Sequence, residues 1–382
     1  MIAQPALPEL DDALLTGPVR RATGSDDASV VEWRCEPIAW TAIAETTTGI
    51  YRVSGTARDS RGDTAWMLVI KILRRPADPV RAPEARGYWR READAYESDL
   101  LSDLDGVSAP RCYGTTISED GASVWLWLEH VMDAETVWPL SRYAQAARAL
   151  GIFNGSYVAQ RPLPDRTWLS RRWLRSWVEW VVPPTTKAVT DEATWRIPIV
   201  QRGFPAPVTD RVMLLCERMP RLLQLFETLP STLSHHDCWR TNFIIPTPNR
   251  TVLIDWSAVG LSPVGLDLGI LTSASHFFLH ADPNDLEAFD RVVFAAYLDG
   301  LRAVGSGEDE RIVRFAYATA AALWGGITAP AWLPLWGDPA HRAFLENKFG
   351  RRLEDLAAPY ARALAFMLDL GDEAWALLSG VT

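Results

Sequence analysis

The apolar pattern changes its period near residue 131, and no other feature of the chain constrains its fold as strongly. Before that point the runs "VVEWRCEPIAW", "GIYRVSGTA", "TAWMLVIKIL" and "ASVWLWLEHV" are rich in Val, Ile, Trp and Tyr, with turn signals such as "DSRGD" and "SEDGA" between them. Runs of this kind are strands, and antiparallel hairpins connect them most economically. One helical pattern interrupts them, "EARGYWRREADAYESDLLSDL", with Tyr88, Ala95, Tyr96 and Leu100 as its apolar stripe. After Asp133 the segments are long and helical, from "SRYAQAARALGIFNGSYV" to "RRLEDLAAPYARALAFMLDL". The one strand-like exception is "TNFIIPTPNRTVLIDWSAVG", two short apolar runs about a Pro/Asn turn. The expected class is α+β, with a sheet-rich part over residues 1–131 and a helical body over 132–382 that contains one small hairpin.

A chain of 382 residues exceeds the size at which one core keeps growing, so two lobes are expected. Its formal net charge is −10, and it carries no dense Lys/Arg run. Nucleic acid is therefore not an expected partner, because that binding is mostly neutralisation of phosphates by a basic surface. Cys35, Cys112, Cys216 and Cys238 are scattered, with no CxxC pair, as in a cytoplasmic protein with reduced thiols. The opening "MIAQPALPELDDALLTG" lacks the basic and apolar blocks of a signal peptide, and no run approaches 18 apolar residues, so no membrane is expected either.

The chemistry concentrates in "SHHDCWRTNF", which leads into the first strand of the small hairpin, while Asp255 follows the second. Asp237, Asn242 and Asp255 can then converge at one mouth. A few hard oxygen donors beside phosphates and water are what Mg²⁺ prefers. A further carboxylate there suits a proton acceptor for a hydroxyl that attacks a phosphoryl group. Two other readings use the same residues: an Asx-rich turn that satisfies its own backbone, and a zinc or iron site from His235, His236 and Asp237. Adjacent residues on an extended chain point to opposite sides, which makes that second set awkward.

"HHDCWRTN" followed by "LIDW" resembles the catalytic loop and metal-binding segment of the aminoglycoside phosphotransferase-like kinases, relatives of the protein kinases. The resemblance covers roughly residues 30–270 and implies a bilobal protein-kinase-like fold, with a small antiparallel-sheet lobe and a larger helical lobe. It places the catalytic aspartate at Asp237 and the metal ligands at Asn242 and Asp255. His235 becomes a structural residue, and Asp267 in "VGLDLG" braces the loop. It also implies that Lys71 in "LVIKIL" holds the α and β phosphates, that Glu92 in "RREADAY" pairs with that lysine, and that main-chain groups from Glu129 to Val131 bind the adenine edge. The phosphate-covering turn falls on "ETTTGIYRVSG", where the backbone and the hydroxyls of Thr46, Thr47 and Thr48, beside Gly49, stand in for a full glycine-rich loop. His236 occupies a place where the family most often has glycine; if φ is positive there, histidine is tolerated only moderately well.

The same resemblance implies a magnesium-dependent kinase that moves the γ-phosphoryl group of ATP or GTP to a hydroxyl of a small molecule, and the scattered cysteines place it in the cytoplasm. An antibiotic or natural-product sugar leads as acceptor. The alternatives are a metabolic kinase for a choline-like, sugar or amino-acid-like substrate, and a nucleotide-binding scaffold without catalysis. Either a monomer or a homodimer fits. Arg240 faces the transferred phosphoryl group or makes a structural salt bridge. Of the 18 tryptophans most are core. Trp239, Trp324 and Trp332 are the candidates for lining a pocket for a flat or cationic acceptor.

Overall fold

A computed structural model describes residues 8–38, 46–80, 82–135 and 137–381. The chain opens with helix α1 (Asp12–Thr23), strands β1 (Ser29–Pro37), β2 (Thr47–Asp59) and β3 (Gly62–Arg74), the short helix α2 (Arg91–Glu97), and strands β4 (Cys112–Ile117) and β5 (Ser123–Glu129). Next come α3 (Leu140–Ala159), β6 (Ser170–Arg171), α4 (Trp173–Thr190), α5 (Glu192–Arg196), α6 (Pro198–Gly203) and α7 (Thr209–Phe226). Strands β7 (Ser231–Ser234), β8 (Phe243–Thr247), β9 (Arg250–Leu253) and β10 (Gly260–Pro263) precede α8 (Leu266–Phe277), α9 (Leu286–Ala303), α10 (Glu310–Ala321), α11 (Pro339–Phe349) and α12 (Leu353–Val381). Two compact units result. The first takes Met1–Leu104, Ser108–Ala134 and Ile244–Ser257, so the β8–β9 hairpin belongs mostly to it; the second takes the rest.

The first unit is built on an antiparallel sheet in the order β1-β2-β3-β5-β4. Side chains alternate across a strand. On β3, Trp66, Leu68 and Ile70 join Leu15 and Val19 of α1 on one face, while Leu73, with Val69 beside it, packs with Ala93 of α2 on the other. Lys71 shares the parity of Val69 and Leu73 and so faces α2. Burying side chains the size of Leu68 and Ile70 is worth about 1.5–3 kcal/mol each. Helix α1 lies in a stretch whose sequence pattern does not announce it, because Pro18 interrupts a short, weakly amphipathic run. It forms with Asp11 as N-cap, accepting the Leu14 N–H at 2.8 Å, and with Gly24 at φ 65 as C-cap.

Helix α2 is much shorter than the helical pattern over residues 84–104 suggests. Its buried Arg91 points its guanidinium back onto main-chain carbonyls, donating to Pro83 at 2.8 Å, Ala85 at 2.5 Å and Arg86 at 3.3 Å, so the preceding residues turn instead of continuing the helix.

The second unit packs around α8, every residue of which is buried. Helices α3, α9, α10 and α12 surround it. Helices α3 and α9 approach closely at Gly151 and Gly300, where a Cβ on Gly300 would fall 2.9 Å from the Gly151 Cα. A small sheet, β6-β10-β7, sets β10 parallel to β6 and antiparallel to β7, the strand that leads into "HHDCWRTN". Beyond α10 lies the proline-containing segment "WGGITAPAWLPLWGD". It runs as a π turn over Ala322–Gly326 and a 3-10 segment over Ala329–Gly337, with Leu333 and Trp336 buried. The run Glu310–Gly337 has the length and apolarity of a membrane span, and 89% of its most apolar window is buried inside the protein.

Candidate active site

In the first unit the strand parity that turns Lys71 toward α2 brings its ammonium to two carboxylates. Nζ lies 2.6 Å from Glu92 Oε2 and donates to Asp255 Oδ1 at 2.8 Å. Lys71 and Glu92 are buried. Glu92 Oε1 also accepts the Trp256 N–H at 3.3 Å, which ties α2 to the residue after Asp255. Arg91 adds a second tie, donating to the Ser257 carbonyl at 3.2 Å. Burial alone would lower the Lys71 ammonium, but Asp255 and Glu92 outweigh it and hold the group charged, with its pKa raised. Burial pushes the Glu92 carboxyl up and Lys71 pulls it down, while Asp255 adds to the rise; the net pKa is raised to about 7. Asp255 has φ 64, a conformation that Asp tolerates better than most residues.

The second unit carries the segment "HHDCWRTN". Asp267, in the first turn of α8, accepts the His235 N–H at 3.0 Å through Oδ2 and the His236 N–H at 2.9 Å through Oδ1. Asn154 of α3 donates to the same carboxylate at 3.1 Å and to the Leu233 carbonyl at 3.0 Å. Tyr297 of α9 donates to Asn154 Oδ1 at 2.8 Å and accepts the Gly265 N–H at 3.0 Å. Burial raises the Asp267 carboxyl against these donors, which work to lower it. His235 Nδ1 accepts the Asp237 N–H at 3.3 Å. Asn242 donates from Nδ2 to both the carbonyl of Asp237, at 2.9 Å, and its carboxylate Oδ2, at 2.7 Å. With Nδ2 committed in this way, the Asn242 atom with metal-ligating chemistry is the carbonyl Oδ1.

The family model described as "Phosphotransferase enzyme family" matches residues 60–306, well over half of the chain. The chain belongs to that family. It is a phosphotransferase that acts on hydroxyls of small molecules, and its fold is the protein-kinase-like one. Two solved structures are similar in fold: choline kinase from Cryptosporidium parvum Iowa II, at 13% identity over 96% of this chain and 98% of that one with a TM-score of 0.53, and an aminoglycoside phosphotransferase from Alicyclobacillus acidocaldarius subsp. acidocaldarius DSM 446, at 12% identity over 97% and 98% with a TM-score of 0.50. No curated protein matches the chain.

Several residues of this phosphotransferase sit differently from the sequence expectation. Thr47, Thr48 and Gly49 are strand residues of β2, at a register shift, and not a phosphate-covering turn. The Thr48 hydroxyl donates to the Ile72 carbonyl at 3.4 Å, and a Cβ on Gly49 would overlap the Tyr51 ring. The connection that precedes them, residues 39–45, lies outside the described residues. Glu129 cannot offer its amide to an adenine edge, because that N–H donates to the Arg111 carbonyl at 2.8 Å. Its carboxylate takes both arms of Arg250, at 3.0 and 2.8 Å. Val131 lies beyond the strand ladder, and its N–H has no partner among the described residues.

Arg240 has structural contacts at the end of the loop. Its guanidinium lies 4.0 Å from the centre of the Trp138 ring and donates to the carbonyls of Glu135, at 3.1 Å, and Phe243, at 3.3 Å, which pins the end of the loop. Trp324 is core, stacked on Trp177 and edge-on to Phe277. Trp332 meets Phe277 edge-on and is half-buried, and Trp239 packs on Phe278 and His280 with part of its ring exposed.

His236 has φ 68, so the glycine-like conformation is present. Both of its ring nitrogens are engaged, with the Ala258 carbonyl and the Ser262 hydroxyl, which opposes a metal site built from His235, His236 and Asp237. Sequence reasoning missed Asn154, Tyr297 and Arg91. Asn154 had a usable signal: it is an amide inside the otherwise apolar run "ALGIFNGSYV".

Proposed function

We propose that the chain transfers the γ-phosphoryl group of ATP or GTP to a hydroxyl of a small molecule. The observation that carries this reading is the buried lysine paired with both Glu92 and Asp255. A fixed cation of this kind, next to a carboxylate that can also ligate a metal, suits the polyphosphate of a nucleotide. In this reading Lys71 binds the α and β phosphates, and Glu92 keeps it oriented. Val131 offers its main chain to the base.

Asp237 accepts the proton of the acceptor hydroxyl as the oxygen bonds to the γ phosphorus, and the bond from that phosphorus to the β–γ bridging oxygen breaks. The products are a phosphate monoester and the nucleoside diphosphate. Asn242, through Oδ1, and Asp255, through its carboxylate, have the hard-oxygen chemistry to hold magnesium, which when bound neutralises charge on the phosphates. Asn242 also fixes the Asp237 carboxylate so that one oxygen is oriented for the proton. No side chain in this set needs to form a phosphoenzyme, so transfer is direct.

An antibiotic or natural-product sugar is the acceptor we place first. A choline-like acceptor is the second reading, favoured by the partly exposed Trp239 two residues from Asp237, since an aromatic face attracts a cation. The net charge of −10 suits a cationic acceptor in either case. We expect the enzyme to work in the cytoplasm. A coupled ADP-release screen over aminoglycosides, macrolides, nucleoside antibiotics, sugars, choline and small alcohols, run with ATP and with GTP in magnesium, tests the proposal. Nucleotide binding with no turnover on any hydroxyl would leave a scaffold.

A further inference from the structure

We propose that His236 is a positioning residue whose ring locks the backbone on which Asp237 stands; the role assigned here rests on the reading of Asp237 as proton acceptor. Glycine would take φ 68 at this place without steric cost, so histidine is not there for the backbone. Its ring is fully buried and held on three sides. Nδ1 lies 2.8 Å from the Ala258 carbonyl, Nε2 lies 2.6 Å from Ser262 Oγ, and the ring stacks on Trp173 with centroids 5.4 Å apart and planes 20° apart.

A carbonyl only accepts, so in the neutral ring Nδ1 carries the hydrogen and Nε2 accepts from the Ser262 hydroxyl. Ser262 belongs to β10 and pairs in register with Thr232 of β7, the strand that delivers the loop. The histidine ring therefore fastens the loop sideways to the strand beside its own root.

The stacking does not stop at Trp173. Trp173 stacks on Trp177 at 5.6 Å and 17°, and Trp177 stacks on Trp324 at 5.6 Å and 16°. Trp177 is itself fixed by donating from Nε1 to Thr328 Oγ1 at 2.9 Å. Trp324 meets Phe277 edge-on at 5.8 Å, Phe277 meets Phe278 at 4.7 Å, and Phe278 meets Trp239 at 4.7 Å. Aromatic contact thus leaves the loop at residue 236 and returns to it at residue 239. Asp237 stands between two anchors that belong to one packed set. Rigid support of this kind limits how far a proton acceptor strays from its working geometry.

Variants of the full-length chain, read by two methods, test the lock. His236→Gly keeps the backbone conformation and removes the ring. His236→Asn keeps a donor at the Nδ1 position and loses both the stacking and the Ser262 bond. We expect His236→Gly to exchange the amides of residues 237–242 at least ten times faster than wild type, with exchange in the first unit unchanged. We expect its ADP-release kcat to fall at least tenfold while the nucleotide KM stays within twofold, and His236→Asn to fall between the two. If His236→Gly does not fold, Ser262→Ala carries the same comparison with a rise of about threefold in exchange.

Wild-type exchange at these amides in His236→Gly overturns the lock. Faster exchange with a wild-type kcat overturns the positioning role. A wild-type chain that binds nucleotide and phosphorylates nothing overturns the proposed activity instead, and the exchange measurement still decides the lock.

Discussion

The Lys71 ammonium donates to the Asp255 carboxylate at 2.8 Å, although the two residues stand 184 positions apart in sequence. With Glu92 at 2.6 Å from the same nitrogen, removing the lysine strands a buried carboxylate. Lys71→Met should cost about 3–5 kcal/mol of stability at neutral pH, in the range for breaking a buried pair. Adding Glu92→Gln should recover part of that loss. Denaturant unfolding of the two variants and the double variant measures the coupling, and strict additivity would contradict it.

Asp267 satisfies two buried backbone N–H groups and the Asn154 amide at once. Each donor left unsatisfied costs about 1–3 kcal/mol. Asp267→Ala should therefore lower the unfolding free energy by several times as much as a surface Asp→Ala change such as Asp299→Ala. It should also lower turnover, because the two N–H groups belong to the residues just before Asp237. Asn154→Ala leaves the two backbone contacts to Asp267 in place but strands the Leu233 carbonyl and the Tyr297 hydroxyl, so it should destabilise the fold while lowering turnover less than Asp267→Ala. Thermal unfolding beside ADP release orders the variants.

His276 gives the pH dependence. Its ring is buried, and neither nitrogen has a hydrogen-bond partner among the described residues; Phe289 and Phe366 pack on it edge-on. Burial lowers its pKa from 6.5 to about 3. Below pH 6.5 the unfolded chain takes up a proton here that the native chain refuses. The contribution is therefore complete above 6.5 and is lost as the pH falls toward 3. The slope is about 1.4 kcal/mol per pH unit across the middle of that window. His276→Phe should unfold with a flatter pH dependence between pH 6 and 4. An unchanged slope would show that another group dominates acid unfolding.

Much of this was legible in the sequence, for identifiable reasons. Period alone separates sheet from helix, and the parity of β3 already turns Lys71 to one face with Val69 and Leu73. The order of Lys71, Glu92, Asp237, Asn242, Asp255 and Asp267 carries the family resemblance. What stayed hidden depends on long-range partners. Helix α1 needs its caps and the β3 face to form around Pro18. The length of α2 is set by Arg91 reaching backward to carbonyls. Glu129 is tied by Arg111 and Arg250, and Asn154 and Tyr297 matter only because α3 and α9 meet Asp267. His236 was the doubtful residue of the loop in sequence; its partners Ala258, Ser262 and Trp173 supply the reason for a side chain at a glycine-like position.

The role of Asp237 as proton acceptor is tested by a pair of measurements on Asp237→Asn and the wild type, with an acceptor found by the screen. In Asp237→Asn kcat should fall by about 10²–10⁴, the range for a lost general base, while the affinity for the nucleotide with magnesium stays within about threefold, since the proposed nucleotide contacts are made by other residues. Turnover within tenfold of wild type, with nucleotide binding intact, would contradict that role.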